Sequence, residues 1–365
     1  MERKNQMISS TLNTPSLVIK SCSYSPFGDP YVIAEIGVNH EGSLEKAKEL
    51  IELAKKGGAN AAKFQSYKAS KLASIHSPSY WDLSKERIES QHELFSKYDH
   101  FSENEYVKLA QHCSDIGIDF LSTPFDLEAV DFLDHLMPLY KIASADITNL
   151  PLLRRIAKKQ KPVILSTGAS KVWEIALAIA ELRKNGAQSI ALLHCVLNYP
   201  TENQHANLNM IHELKHYFPE CLIGYSDHTI PDKDMSVLTT AYLLGAGIIE
   251  KHFTDNKMLE GNDHYHAMDY QDLHLFCQKI REIKLIYGQF IGKDVLATEE
   301  IARLNARRSI VFSGDFPKGH IISEMDIIAK RPGTGISPLH WDEVIGRKLA
   351  VNVKSDQLLN WQMMS

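Results

Sequence analysis

The sequence predicts an α/β chain: a (β/α)8 barrel of the TIM type followed by a small β-rich domain. Three observations carry this. Eight short apolar runs precede residue 255, most of them near-continuously apolar, as strands buried on both faces are. Segments with helical apolar spacing lie between them, and eight strand–helix units in about 250 residues read as a barrel. After a helical stretch at 271–287 the pattern returns to short strands and turns.

The eight runs are Tyr31–Ile36, Ala61–Phe64, Ile118–Ser122, Leu139–Ile142, Pro162–Leu165, Ser189–Leu193, Cys221–Tyr225 and Gly247–Lys251. In 44–56, Leu44, Ala47, Leu50, Ile51 and Ala54 recur at helical spacing, and Gly57-Gly58 supplies a stop. Ser102-Glu103-Asn104-Glu105 has the capping-box pattern, with Phe101 placed for a hydrophobic staple and Val107, Ala110 and Cys113 following on one face. Segment 172–185 repeats the theme and stops at Gly186. Segment 66–100 is too long for a strand–helix loop and reads either as a lid over the barrel mouth or as a decorative insertion. Residues 1–30 form an N-terminal extension, loosely ordered over 1–15 and a candidate hairpin capping the barrel over 16–30. The barrel then spans 31–287, a linker 288–305, and the small domain 306–365, with turn signals at Ser313-Gly314-Asp315, Pro317-Lys318-Gly319 and Pro332-Gly333-Thr334-Gly335.

Composition excludes several classes. The 365 residues are 44% hydrophobic and 23% charged, ordinary for a globular protein. A net charge of −5 with no long basic run argues against a nucleic-acid partner. No apolar stretch is long enough to span a membrane, and no signal-peptide core begins the chain. The five cysteines form no Cys-x-x-Cys pair, which fits a reducing, cytoplasmic setting.

Among 17 histidines, His228 and His252 stand out. They follow the last two apolar runs, one strand–helix repeat apart, with a helix-length segment at 232–245 between them. In a barrel this places both imidazoles at the C-terminal ends of adjacent strands, able to hold a divalent metal. Lys63, Lys141 and Lys251 sit inside apolar strands, where an ammonium needs an anion: a bound ligand, or a carboxylate such as Glu35 or Glu250. Lys141 and Ser144, with Ser166-Thr167-Gly168 one strand on, read as a phosphate cradle with glycine amides at a helix start. Cys195, adjacent to His194, points to the opposite face of its strand and reads as a buried structural thiol.

These residues together resemble the sialic acid synthase family. The resemblance runs from about Ile33 to the C-terminus and rests on residues 34–42, Lys63-Phe64-Gln65, Ser122-Thr123-Pro124-Phe125, Lys141-Ile142-Ala143-Ser144, Ser166-Thr167-Gly168, 224–229 and 250–254. The C-terminal piece is similar to the family's antifreeze-like (SAF, β-clip) domain, marked by 330–338. The resemblance implies condensation of phosphoenolpyruvate with an N-acyl amino sugar and water, giving a 3-deoxy-nonulosonic acid and phosphate. It implies His228 and His252 as ligands of a divalent ion, manganese or magnesium, and Glu35 beside the reacting carbons. It places Lys63, Lys141, Ser144, Ser166 and Tyr199 on phosphoenolpyruvate, and Gln65, Thr123 and Asp263 on the sugar, with Glu35, Lys63 and Asp263 as the catalytic set. Arg331 would reach the sugar's acyl group from a partner subunit, making a domain-swapped homodimer the expected assembly.

The chain departs from the family pattern in three places, one being segment 66–100, which lacks a recognisable counterpart of the family's asparagine contact. Leu197 stands where the family has an asparagine, with Asn198 one residue later, and Gly261-Asn262-Asp263-His264 replaces the usual Gly-Pro-Asp-His. The acceptor stays open among N-acetylmannosamine, its 6-phosphate and a diacetamido-trideoxyhexose. Three other activities compete: an octulosonate-type synthase acting on a phosphorylated sugar, a non-catalytic ice- or carbohydrate-binding barrel, and a Schiff-base aldolase using Lys141 or Lys63.

Overall fold

The computed structural model describes residues 14–81, 83–84, 86–261, 263–288 and 292–365. The chain divides into two compact units, Met1–Gly288 and Gln289–Ser365. The first opens on a hairpin of β1 (Leu17–Ile19) and β2 (Cys22–Tyr24), paired antiparallel. It sits at the N-terminal ends of the barrel strands, where the Lys20 ammonium pairs with Asp119 and the Tyr24 ring meets Tyr31 edge-on. The candidate hairpin over 16–30 is therefore present and closes the floor of the barrel. Most of the stretch expected to be loosely ordered, 1–13, lies outside the described residues.

The barrel strands are β3 (Tyr31–Gly37), β4 (Ala61–Ser66), β5 (Asp119–Pro124), β6 (Tyr140–Ile142), β7 (Val163–Ser166), β8 (Ile190–Cys195), β9 (Leu222–Asp227) and β10 (Ile248–His252). They form one parallel sheet in the order β5-β4-β3-β10-β9-β8-β7-β6. The end strands β5 and β6 pack side by side, so the sheet curls into a nearly closed barrel. Each predicted run falls on one of these strands. Parallel strands in a barrel bury both faces, so most of their residues are buried, and the apolar runs lacked alternation for that reason.

The helices follow the caps. Helix Leu44–Gly57 starts at Ser43, whose hydroxyl accepts from the Lys46 amide, and it buries Ala47, Leu50, Ile51 and Ala54. Helix Glu103–Ile116 carries the expected capping box, and Phe101 reaches Tyr106 at 5.8 Å as a hydrophobic staple does. Its buried face is Tyr106, Leu109 and Cys113, whereas Val107 is exposed. The expected stripe is thus rotated by one residue, because the staple brings Tyr106 inward. Segment 66–100 contributes helices Ala69–Leu72 and Gln91–Tyr98. No helix among the described residues is long and apolar enough to cross a membrane.

The second unit pairs β11 (Ser309–Phe312) with β12 (Ile327–Lys330), antiparallel. Its core gathers Ile310, Phe312, Ile322, Ile336, Val344, Leu349 and Leu359. Arg331 follows β12 and is exposed on this unit.

Two local constraints lend themselves to testing. Gly224 lies on β9, where an added Cβ would fall 2.5 Å from both the Ile248 carbonyl oxygen and Leu193 Cδ2. Gly224→Ala is expected to destabilise the barrel by about 1–3 kcal/mol through overpacking, read as a lowered thermal midpoint. An unchanged midpoint would contradict the tight packing between β8 and β10. His40 is buried, stacks on Phe101 at 4.2 Å and accepts the Gly42 amide at Nδ1, which requires the neutral ring. Burial pushes its pKa down to about 4. A folded-state pKa below the unfolded value means that stability is full above about pH 6.5 and is lost as pH falls toward 4. The loss is about 3 kcal/mol. Urea unfolding across that window should show His40→Gln with a correspondingly shallower acid slope than the wild type.

Candidate active site

A cavity of about 410 Å³ opens at the C-terminal ends of the barrel strands. Glu35, Lys63, Gln65, Thr123, Lys141, Ser144, Ser166, Tyr199, His228 and His252 all line it. A narrower pocket of about 90 Å³ beside it shares Gln65, Tyr199 and His252 and adds Asp263. Every barrel residue named as a candidate from the sequence is therefore at one mouth. Arg331 belongs to the second unit and is not part of this lining.

Period-two alternation on the strands explains the convergence. On β10, Glu250 and His252 line the cavity while Lys251 does not. Lys251 instead bonds Asp227 at 2.6 Å and the Thr229 carbonyl at 2.5 Å. That lysine is a structural ion pair, with a partner different from the two carboxylates considered from sequence. The other two lysines meet those carboxylates. Lys63 Nζ lies 2.5 Å from Glu35 Oε2, 3.9 Å from Glu250 Oε2, and donates to Thr123 Oγ1 at 3.0 Å. Lys141 Nζ lies 3.4 Å from Glu250 Oε1, which also accepts from the Ser226 hydroxyl. Gln65 Nε2 donates to Glu35 Oε1 at 2.9 Å. Gly37, with φ of +55°, ends β3 where Glu35, Gln65 and Asp263 crowd together; a Cβ there would lie 3.2 Å from Gln65 Nε2.

The charges in this chain of groups are unequally settled. Burial pulls the Lys63 pKa down, but Glu250 and Glu35 outweigh it and hold the ammonium above its ordinary range. Burial lowers Lys141, and Glu250 offsets only part of that. Burial raises Glu35 despite Lys63, whereas the two lysines outweigh burial and hold Glu250 down. Lys141 is thus the cation that gains most from an incoming anion, and Glu35 the carboxyl best placed to exchange a proton. The Ser166 hydroxyl, next to Lys141 in the cavity lining, is buried with no hydrogen-bond partner.

The phosphate cradle differs from expectation in one respect. The Gly168 amide donates to Ser144 Oγ at 2.9 Å, and the following helix begins only at Val172. What this cavity holds in common is therefore Lys141 and two serines, without a helix N-terminus. Cys195 faces the cavity while the His194 Nε2 contacts the Ala206 carbonyl, so the two do face apart. Burial raises the Cys195 thiol to about 11, leaving it protonated and inert. Asn198 lies instead in a larger, mainly apolar groove outside the strand ends, while Leu197 reaches both cavities. Asn262 lies outside the described residues.

His228 Nδ1 sits 2.7 Å from the Val196 carbonyl, to which it donates as N–H, leaving Nε2 as the open lone pair. Burial pushes His228 to about 4 and His252 well below its ordinary value, so both imidazoles are neutral donors. Their rings are 5.4 Å apart, and His252 Nδ1 is buried without a hydrogen-bond partner. Asp263 Oδ2 lies 3.6 Å from that nitrogen. Burial, with Glu35 nearby, raises the Asp263 carboxyl to about 7, as for a carboxylate lacking a cation. Neutral imidazoles, an orphaned nitrogen and an uncompensated carboxylate make a mixed nitrogen and oxygen donor set that suits a first-row transition ion better than magnesium, which prefers oxygen donors.

Sequence reasoning missed three contributors. Glu250 entered only as a lysine's partner, yet it links both cavity lysines. The segment 66–100 supplies Tyr67, Tyr80, Leu94, Phe95 and Tyr98 to the narrow pocket, so it is a lid. Its aromatic content was the available signal. His266, quoted only within a motif, is fully buried beside His252.

Comparison with known proteins points the same way. The model described as NeuB family matches residues 50–292, and that described as SAF domain matches 307–364. The N,N'-diacetyllegionaminic acid synthase of Campylobacter jejuni is 40% identical over 333 residues, covering 90% of this chain and 98% of that protein. The enzyme of the same name from Legionella pneumophila is 37% identical, covering 91% of this chain and 94% of that protein. The crystal structure of N-acetylneuraminic acid synthetase from Leptospira borgpetersenii, in complex with citrate, superposes with a TM-score of 0.68 at 30% identity. It covers 79% of this chain and 95% of that one.

The linked lysines and carboxylates generate a stability prediction. Glu250→Gln removes the charge between Lys63 and Lys141 and should destabilise the barrel by about 3 kcal/mol in urea unfolding at pH 7. A change below about 0.5 kcal/mol would mean that the two ammonium groups do not depend on it.

Proposed function

The chain belongs to the NeuB family, and from that premise we propose that it condenses phosphoenolpyruvate with an unphosphorylated, N-acylated amino sugar and water, giving a 3-deoxy-nonulosonic acid and phosphate. The observation that carries this is a cavity that holds the cations beside a narrower, mainly aromatic pocket whose lining holds none among the described residues. Lys63, Lys141, Ser144 and Ser166 suit the phosphate and carboxylate of phosphoenolpyruvate. The narrow pocket holds Val38, Tyr67, Tyr80, Leu94, Phe95 and Tyr98, with Gln65 and Asp263 as its polar contacts and no lysine or arginine among the described residues. A sugar 6-phosphate would have no cation there. A diacetamido-trideoxyhexose, with methyl groups in place of charge, suits these walls, in line with the legionaminic acid synthase names of two relatives.

In the reaction the enol carbon of phosphoenolpyruvate forms a C–C bond to the sugar's aldehyde carbon as the carbonyl π bond breaks, and the aldehyde oxygen takes up a proton, matched by the one that Glu35 later takes from water. Water then adds at C2 of the resulting oxocarbenium, and the C2–O bond to phosphate breaks. Lys63 and Lys141 offset the anionic charge in a water-poor site, and Ser144 and Ser166 orient the phosphate. Glu35, its pKa raised by burial, takes the proton of the attacking water. Gln65 and Asp263 position the acceptor, with Thr123 fixing Lys63. His228 and His252 would hold a divalent ion of the manganese type, which supplies Lewis-acid polarisation of the aldehyde when bound. Arg331 reaches the acyl group from a partner's SAF domain in a domain-swapped homodimer, and the enzyme works in the cytoplasm on soluble substrates.

Phosphate release from phosphoenolpyruvate, measured with N-acetylmannosamine, its 6-phosphate and a 2,4-diacetamido-2,4,6-trideoxyhexose, tests the reading. The trideoxyhexose should exceed the others at least about tenfold in kcat/KM, a margin of about 1.4 kcal/mol. Chelator should abolish release. Lys141→Met should lower kcat/KM for phosphoenolpyruvate about 100-fold. Preference for the 6-phosphate would overturn the acceptor assignment, and borohydride trapping with pyruvate would reveal a Schiff base instead.

A further inference from the structure

His266 is fully buried, yet neither ring nitrogen has a hydrogen-bond partner. An imidazole with both nitrogens desolvated and unsatisfied is costly, so something must occupy at least one of them. The surroundings restrict what that is. The His266 ring centre lies 4.9 Å from that of His252 and 6.2 Å from that of His228, while those two are 5.4 Å apart. Imidazoles bound to one ion at about 2.1 Å have ring centres about 3.2 Å from it, so ring pairs sharing an ion lie within about 6.5 Å. All three pairs satisfy this. One donor atom each of His252, Asp263 and His266 lies within 4.8 Å of the others, and His228, whose ring meets the centre-to-centre limit, stands outside that group. Asp263 stands between the two rings, with Oδ2 3.6 Å from His252 Nδ1 and Oδ1 4.0 Å from His266 Nε2. His252 Nδ1 is itself orphaned.

We propose that His266 is a third histidine ligand of the divalent ion, joining His228 and His252, with the Asp263 carboxylate as the fourth protein donor. The inference rests on the reading that a metal binds at this mouth and extends the ligand set beyond the two strand-end histidines. It also gives residues 263–266, on the loop following β10, a purpose. A centre with three nitrogen donors favours a first-row transition ion over magnesium.

The test uses the full-length protein without substrates. Manganese is titrated by calorimetry, and the number of coupled imidazole nitrogens is counted by pulsed electron paramagnetic resonance on the wild-type complex. Three coupled histidines are expected, and His266→Asn should weaken manganese binding about 100-fold, as His228→Ala does. A count of two, or wild-type affinity in His266→Asn beside a weakened His228→Ala, overturns the third ligand while leaving the metal site standing. Unchanged affinity in both variants overturns the metal site and this inference together. The nitrogen count needs no variant, so a misfolded His266→Asn does not decide the matter.

Discussion

The alternating chain of charge Glu35–Lys63–Glu250–Lys141 is the constraint around which the barrel mouth is organised. Four ionisable groups on β3, β4, β6 and β10 are buried together, which is tolerable only because each ammonium faces a carboxylate. Such a chain needs strands whose side chains point inward at the same height, and a nearly closed parallel barrel supplies that. It also fixes register. A one-residue slip of β10 would send Glu250 outward and bring Lys251 in, leaving two like charges beside Lys63.

The network is balanced among its own members but uneven in strength. Lys63 is claimed by two carboxylates, while Lys141 shares one with it and stays under-neutralised. An anion entering the cavity therefore finds its strongest electrostatic gain at Lys141, beside the unpartnered Ser166 hydroxyl. The far side of the cavity carries no such cation and is walled by tyrosines and Phe95 from 66–100. Two substrates of opposite character can be sorted by this asymmetry without any movement of the strands.

Much of this was legible in the sequence because the strands are short and buried on both faces. Each apolar run ends where its polar residues begin, so Ser166, His228 and His252 announce strand ends directly, while Lys63 and Lys141 stand out as ammonium groups inside apolar runs. What was hidden depends on direction rather than position. On helix 103–116 the buried face includes Tyr106 and Leu109 beside Cys113, because the local staple of Phe101 on Tyr106 draws that side inward. Lys251 looked like a site lysine, and only the alternation on β10 sends it to Asp227. Ser144 was read as a phosphate contact, while its present partner, the Gly168 amide, comes from the next strand's loop. His266 was unreadable because it lies on a loop whose path over the mouth has no periodic signature.

Loop placement also explains why the mouth can vary without loss of the fold. The residues that carry the charged network are on strands, held by the ladder on both sides and by packing beneath. Those lining the narrow pocket, Tyr67, Tyr80, Phe95, Tyr98 and Asp263, lie on segments after β4 and β10 that contribute little to the barrel core. Substitution there changes the wall a sugar meets without uncovering a buried charge. A barrel of this design can keep one phosphate-and-carboxylate half fixed while its acceptor half is rebuilt. Of the positions where this chain departs from the family pattern, Asp263 and His264 lie on the loop after β10, whereas Leu197 shares the cavity lining with Lys141, Ser144 and Ser166.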